Sequence, residues 1–331
     1  MRVSKRLVAV LMVAPLALVG CTSSSGGKSG GGSTKAAAGG GGAGTYGYKF
    51  AVVTHGAAGD TFWDVVKKGS ERAGKDEGVK VNYQSDGDPA KQSQLIDAAV
   101  NEKVDGLVVS MANPDALKAS IEKAVAAGIP VITINSGQAQ SATFGALAHV
   151  GQDETIAGQG AGEKMKADGV TNALCVIQEA GNVGLEQRCA GFKQGLGGKV
   201  TNVQVQNSDP AGAQSIIKAK LQSDTSINGV LTLGPVIGKA AIQALADAGS
   251  KAKLATFDLN ADVTQAIAAG KMLFAVDQQQ YVQGYLPIVM LTLYKANLNT
   301  VGGGHPVLTG PGYVTKDNAS KIQDLAKAGT R

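Results

Sequence analysis

The chain has 331 residues, with 31 Lys and Arg against 26 Asp and Glu and a formal charge of +5. This near balance argues against nucleic acid or any strongly charged partner. Aromatics make up 4% of the residues, and the three His show no ligand spacing with one another or with Cys, so neither a metal nor a cofactor is expected.

Arg2, Lys5 and Arg6 precede an apolar run from Leu7 to Val19, which has the size of a signal-peptide core rather than of a bilayer span. The run ends in Leu18-Val19-Gly20-Cys21, which resembles a bacterial lipobox, so residues 1–20 read as a lipoprotein signal peptide and Cys21 as the lipidated residue. An ordinary secretory signal with an incidental Cys21 is the other possibility; export follows from both. Residues 21–46 are rich in Gly and Ser and read as a flexible tether, reaching roughly 25–30 Å as a coil. Loss of the leader's three bases lowers the formal charge to +2. Cys175 and Cys189 remain, and in an exported chain they are either bridged or two buried thiols, since spacing alone does not show that their side chains meet.

From Tyr48 onward strands and helices alternate. "YKFAVVT" reads as a strand, and Phe62, Val65, Val66, Gly69 and Ala73 follow at helical spacing. "VKVNYQ", a helix from Pro89, "GLVVS", a helix from Pro114 and "PVITIN" complete a first βα series. After His149 a second series runs through a helix near 153–168, "ALCVIQ", a helix over "GLEQRCAGFKQGL", "NVQVQN", a helix from Ala211, "GVLTLG", a helix from Val236, "KLATFD", a helix near 261–269 and "LFAVDQ". The fold class is therefore α/β, with two Rossmann-like parallel-sheet lobes. About 285 residues are too many for one such sheet. With no Pro/Gly/Ser-rich linker near residue 150, the chain is expected to cross between the lobes on several short segments.

Ligands of open parallel sheets sit beyond the carboxyl ends of the strands. Those ends carry His55, Ser85-Asp86, Ser110 and Asn135-Ser136 in the first series. In the second they carry Gln178-Glu179, Asn207-Ser208, Gly234-Pro235, Asp258 and Asp277-Gln278. This is an inventory of hydroxyls, amides and carboxylates. "GQGAGE" at 158–163 fails the dinucleotide fingerprint, no G-x-S-x-G nucleophile elbow occurs, and pairing His55 or His149 with Asp60 as a catalytic base is the weaker reading, so no enzyme activity is expected.

Taken together, "GDTFWDVVKKG", "DGLVVSMANPDAL", "AGIPVITINS", "RCAGF", "LATFD" and "VDQQQYVQGY" resemble, in order and spacing, the periplasmic sugar-binding proteins of ABC importers, the ribose-binding type. The resemblance covers residues 48–331 and implies two lobes joined by a multi-segment hinge, at 47–151 plus 279–305 and at 152–278 plus 306–331. It also implies a monomer that binds a small neutral sugar or polyol, delivers it to permease subunits, and touches the membrane only through its lipid anchor. The alternative is a lipoprotein that presents a bound sugar or furanone-type signal to a membrane receptor.

The resemblance assigns ligand roles residue by residue. Phe62 and Trp63 would stack on a sugar face, preceded by the polar Asp60; a capping Asp60 with two core aromatics is the lesser alternative that the residues themselves allow. Asp258 would accept two hydroxyls, Gln278 would be an amide ligand near a lobe crossing, and Arg188 would project from its helix toward the ligand, unless it is a surface arginine. Ser110 and Asn135 occupy strand-end ligand positions. Many ribose- and galactose-type members carry an Asp-Arg pair where this chain has Asn135-Ser136 and an Asn-Asp pair where it has Gly234-Pro235. The site is thus less charged, which suits another pentose, a deoxysugar, a polyol or a furanone-type signal better than ribose.

Overall fold

The structure, a computed structural model, describes residues 46–57 and 59–331; the expected signal peptide, Cys21 and the tether through residue 45 lie outside the described residues. The first series comprises β1 (Lys49–Thr54), α1 (Thr61–Glu77), β2 (Lys80–Ser85), α2 (Pro89–Asn101), β3 (Gly106–Ser110), α3 (Pro114–Ala126), β4 (Val131–Ile134), the short α4 (Gln138–Ser141) and β5 (Ala148–Gln152). Its three long helices start where the sequence supplies caps. The side chains of Asp60, Asp88 and Asn113 accept from the first free N–H groups of α1, α2 and α3, and Pro89 and Pro114 occupy a position that needs no N–H.

The second series repeats the plan: α5 (Glu154–Ala167), β6 (Asn172–Ile177), α6 (Val183–Leu196), β7 (Lys199–Gln204), α7 (Pro210–Ser223), β8 (Gly229–Thr232), α8 (Pro235–Asp247), β9 (Lys253–Phe257), α9 (Ala261–Ala268) and β10 (Phe274–Asp277). The chain then returns through α10 (Gln280–Asn297), β11 (Val307–Gly310), β12 (Gly312–Thr315) and α11 (Ala319–Ala328).

The sheets run β11-β5-β4-β3-β1-β2 and β12-β10-β9-β8-β6-β7, and only β12 is antiparallel to its neighbour. Val108, Val109, Val230 and Leu231 are buried on both faces of their sheets, which is why these strands read as unbroken apolar runs. In each sheet the direction of winding reverses beside the first strand of the series, between β1 and β3 and between β6 and β8. The carboxyl ends of these strands open the crevice in which such sheets hold ligands.

The third crossing corrects one expected boundary. Val307–Gly310 pairs with β5, so it belongs to the first lobe, and the chain passes to the second sheet at Gly310–Pro311 rather than after residue 305. The other passages run from β5 into α5 and from β10 into α10. Close helix packing anchors both returns. A Cβ at Gly284 would enter the Val66 carbonyl of α1, and one at Gly191 would enter the Thr155 carbonyl of α5, so these helix pairs pack backbone against backbone.

Candidate functional site

The strand ends of both sheets face a cleft of about 370 Å³, counting the part open to solvent. On the first-lobe side stand His55, Asp60, Phe62, Trp63 and Asn135; on the second-lobe side stand Gln178, Glu179, Arg188, Asn207 and Asp258; Gln278 lies on a crossing segment. Seven of the eight expected ligand residues therefore converge. The lining combines amides, carboxylates and a guanidinium with two aromatic rings.

Asn135 and Asp258 occupy corresponding places, at the ends of β4 and β9, and both hold left-handed backbone, φ 61° and 67°. Asn and Asp tolerate this conformation better than other side chains, and it turns both residues off the strand line at the cleft. Gln278 links them: Asn135 Nδ2 donates to Gln278 Oε1 (3.1 Å), and Gln278 Nε2 donates to Asp258 Oδ1 (2.7 Å). A buried polar line thus runs from one lobe to the other through a crossing residue. It continues to Arg188, whose Nη1 lies 3.7 Å from Asp258 Oδ2 and whose guanidinium stacks over Phe257 at 4.6 Å.

Asp60 both caps and bridges. Its Oδ1 accepts from Phe62 N (3.0 Å), and its Oδ2 accepts from Asn207 Nδ2 of the other lobe (3.0 Å). Trp63 is 5% exposed and packs edge-on against Phe62 and His55, with centroids 4.9 and 4.6 Å away. Gly56 permits this approach, because a Cβ there would enter the indole. Both aromatics belong to the first-lobe core while lining the cleft.

Ser110 is corrected. Its side chain is fully buried, and Oγ is occupied by His55, accepting from the backbone N (3.0 Å) and facing Nδ1 (2.7 Å). It stands behind His55 and does not line the cleft. Strand-end counting found the right layer but not which side chain stands in front.

Sequence reasoning also missed Glu154, whose carboxylate holds Arg188 at Nε (2.6 Å) and Nη2 (2.9 Å). Nothing in the local pattern distinguishes it from an ordinary first-turn helix acid. Asn182 was missed as well; Ser136 Oγ lies 3.1 Å from its Oδ1 across the cleft, beside a backbone bond from Val183 N to the Ala112 carbonyl. Cys175 on β6 and Cys189 on α6 are joined, with Cα atoms 5.8 Å apart and both side chains buried, which pins the helix bearing Arg188 to its sheet.

Burial sets the electrostatics. Desolvation, then the charge of Glu179, raises the Asp60 pKa to about 7 against the N–H bond from Phe62, and desolvation raises Asp258 to about 7 against Arg188 and Gln278. Burial, then the field of Arg188, lowers His55 to about 3, leaving a neutral imidazole. Among the described residues no group of three or more His, Cys, Asp and Glu could hold a metal ion.

Residues 50–297 match the family model of the periplasmic binding protein domain. Among solved structures, a carbohydrate transporter from Acidothermus cellulolyticus 11B in complex with myo-inositol is 45% identical, with a TM-score of 0.85, over 86% of this chain and all of that one. The ribose import binding protein of Haemophilus influenzae is 27% identical over 69% of this chain and 79% of its own. The xylose/arabinose-binding protein of Sulfolobus acidocaldarius is 25% identical over 72% of this chain, which spans 64% of that relative's length. These are transport binding proteins and not enzymes. The chain belongs to the periplasmic binding protein family, in the type I group of sugar-binding proteins that serve ABC importers.

Proposed function

We propose that this protein is a lipid-anchored solute receptor that closes its two lobes on one small neutral polyhydroxy compound, a cyclitol such as myo-inositol or a monosaccharide, and delivers it to a membrane permease. The observation that carries this reading is the line Asn135–Gln278–Asp258–Arg188 running beside the Phe62 and Trp63 rings. It offers amide, carboxylate and guanidinium groups to the edge of a ring and aromatic carbon to its face. Myo-inositol in the 45% identical relative supports the cyclitol in particular.

Asn135, Arg188, Asp258 and Gln278 would orient hydroxyls, and Trp63 and Phe62 would exclude water from the ring face. The cross-cleft contacts of Asp60 with Asn207 and of Ser136 with Asn182 would hold the lobes closed, so that ligand and lobe contacts favour the same state. Anchoring would be through Cys21. Calorimetry of the exported protein against myo-inositol, pentoses, hexoses and polyols tests the binding; heat only from amino acids or nucleosides would refute it. Mass spectrometry of the mature N-terminus tests the anchor, a diacylglyceryl-modified Cys21 being the expected species and a free thiol there the contrary one.

A further inference from the structure

The cleft is divided. Nε2 of His55 lies 3.4 Å from Asn182 Nδ2 and 3.7 Å from Glu179 Oε2, and these side chains form a partition. Beyond it lies a second chamber of about 810 Å³, counting the part open to solvent, bounded by Asn113, Gln206 and Ser208. Five residues, His55, Gln178, Glu179, Asn182 and Asn207, line both spaces, so the two share a wall. The contacts of His55 across the partition are long for hydrogen bonds, and parting them sacrifices little.

Gln178 stands at the junction. It is 8% exposed; its Nε2 donates to the Leu233 carbonyl (3.2 Å), while its Oε1 is buried with no partner. Turning the amide over would set Oε1 against that carbonyl, so the free atom is the acceptor. Gly234 makes the room, because a Cβ there would stand 2.9 Å from Nε2. A buried acceptor without a donor is unfavourable, and a ligand hydroxyl is the group that would satisfy it. The outer lining holds amides, a hydroxyl, Glu179 and the His55 imidazole, with no Lys or Arg. It therefore suits a neutral sugar and disfavours a phosphate.

We propose that the two chambers form one two-part site, in which a polyol ring occupies the inner cleft and a second sugar ring, carried on it as a glycoside, occupies the outer chamber, with Gln178 Oε1 accepting a hydroxyl bond at the junction. The ligand class then includes glycosides of a cyclitol or monosaccharide as well as the free compound. This deepens the proposed function and rests on it.

Calorimetry of the full chain with myo-inositol, a galactoside of myo-inositol and a myo-inositol phosphate tests the proposal, together with Ser208→Trp, a change at an exposed rim position. The galactoside is expected to bind within tenfold of myo-inositol, and the phosphate at least a hundredfold more weakly. Ser208→Trp is expected to weaken the galactoside tenfold or more while leaving myo-inositol within twofold. Myo-inositol bound normally with the galactoside more than tenfold weaker would overturn the two-part site and leave the proposed function standing. Equal effects of Ser208→Trp on both ligands would also overturn it, and phosphate binding as tight as the galactoside would overturn the neutral class. If neither myo-inositol nor its galactoside bound, the cyclitol reading would fall together with this inference.

Discussion

Arg188 and Glu154 meet as a two-point ion pair with both side chains 3% exposed, Nε to Oε2 at 2.6 Å and Nη2 to Oε1 at 2.9 Å. The acid sits in the first turn after a lobe crossing, and the arginine lies on a helix tied by disulfide to its sheet. Burial alone would lower the Arg188 pKa, but Glu154, Asp258 and Glu179 carry it above its ordinary value, so the guanidinium stays charged. Glu154 fixes two of its nitrogens and leaves Nη1 for the Leu233 carbonyl, 3.3 Å away, and the cleft. The pair aims a cation at the cleft.

Glu154→Gln is therefore expected to destabilise the fold by roughly 3 kcal/mol, because it leaves a buried cation without its two-point partner. It should also weaken ligand binding, since Arg188 is then free to turn toward Asp258. Urea unfolding and calorimetry on the same preparation check both effects. Unchanged stability would show that Arg188 is held by its other neighbours.

Trp63 is the only tryptophan, and its indole lies between core and cleft. Its emission should be blue before ligand is added and change in intensity when ligand binds. Trp63→Ala should cost about 3–5 kcal/mol of stability through the cavity it leaves, along with a loss of affinity. Unaltered emission during a titration in which calorimetry records binding would assign the residue to the core alone.

Apart from the short α4 and β5, the strands and helices through β10 were legible because capping residues and period changes mark them locally. β5 was not read, since "AHVGQ" has no apolar run; it is a strand because β4 and β11 pair with it on either side. The same non-local pairing put β11 in the first lobe. Within the site, Asn135, Asp258 and Gln278 are strand-end or crossing residues and could be placed from sequence. The orientation of Arg188 depends on Glu154, 34 residues away, and the withdrawal of Ser110 behind His55 depends on packing between β1 and β3. Neither has a local sequence signal.

The Cys175–Cys189 bridge closes a loop of about 15 residues, for which the chain-entropy model gives roughly 3 kcal/mol. Both residues are buried, at 0% and 1% exposure. The exported protein should therefore resist alkylation under mild reducing conditions until it is unfolded, and the reduced form should unfold at lower urea. Rapid labelling of both thiols in the folded protein without reductant would refute the bridge.

Stability should respond to pH through opposed groups. Asp60 and Asp258, at about 7 in the fold against about 4 in the unfolded chain, keep protons in the folded state, so their contribution falls as pH rises from about 4 to 7. His55 and His149, lowered chiefly by burial to about 3 and about 4 against an unfolded value near 6.5, act in the other sense, and their contribution is lost as pH falls below about 6.5. Two acids against two imidazoles leave little slope between pH 4 and 6.5. Asp258→Asn removes one acid from this balance. Its stability relative to the parent should rise with pH across the window, by at most about 1.4 kcal/mol per pH unit, and level off above pH 7. Urea unfolding of both proteins at pH 4, 5.5 and 7.5 measures the difference. A constant offset at all three would mean that the Asp258 carboxyl titrates alike in the folded and unfolded chain, and that Arg188 fully offsets its burial.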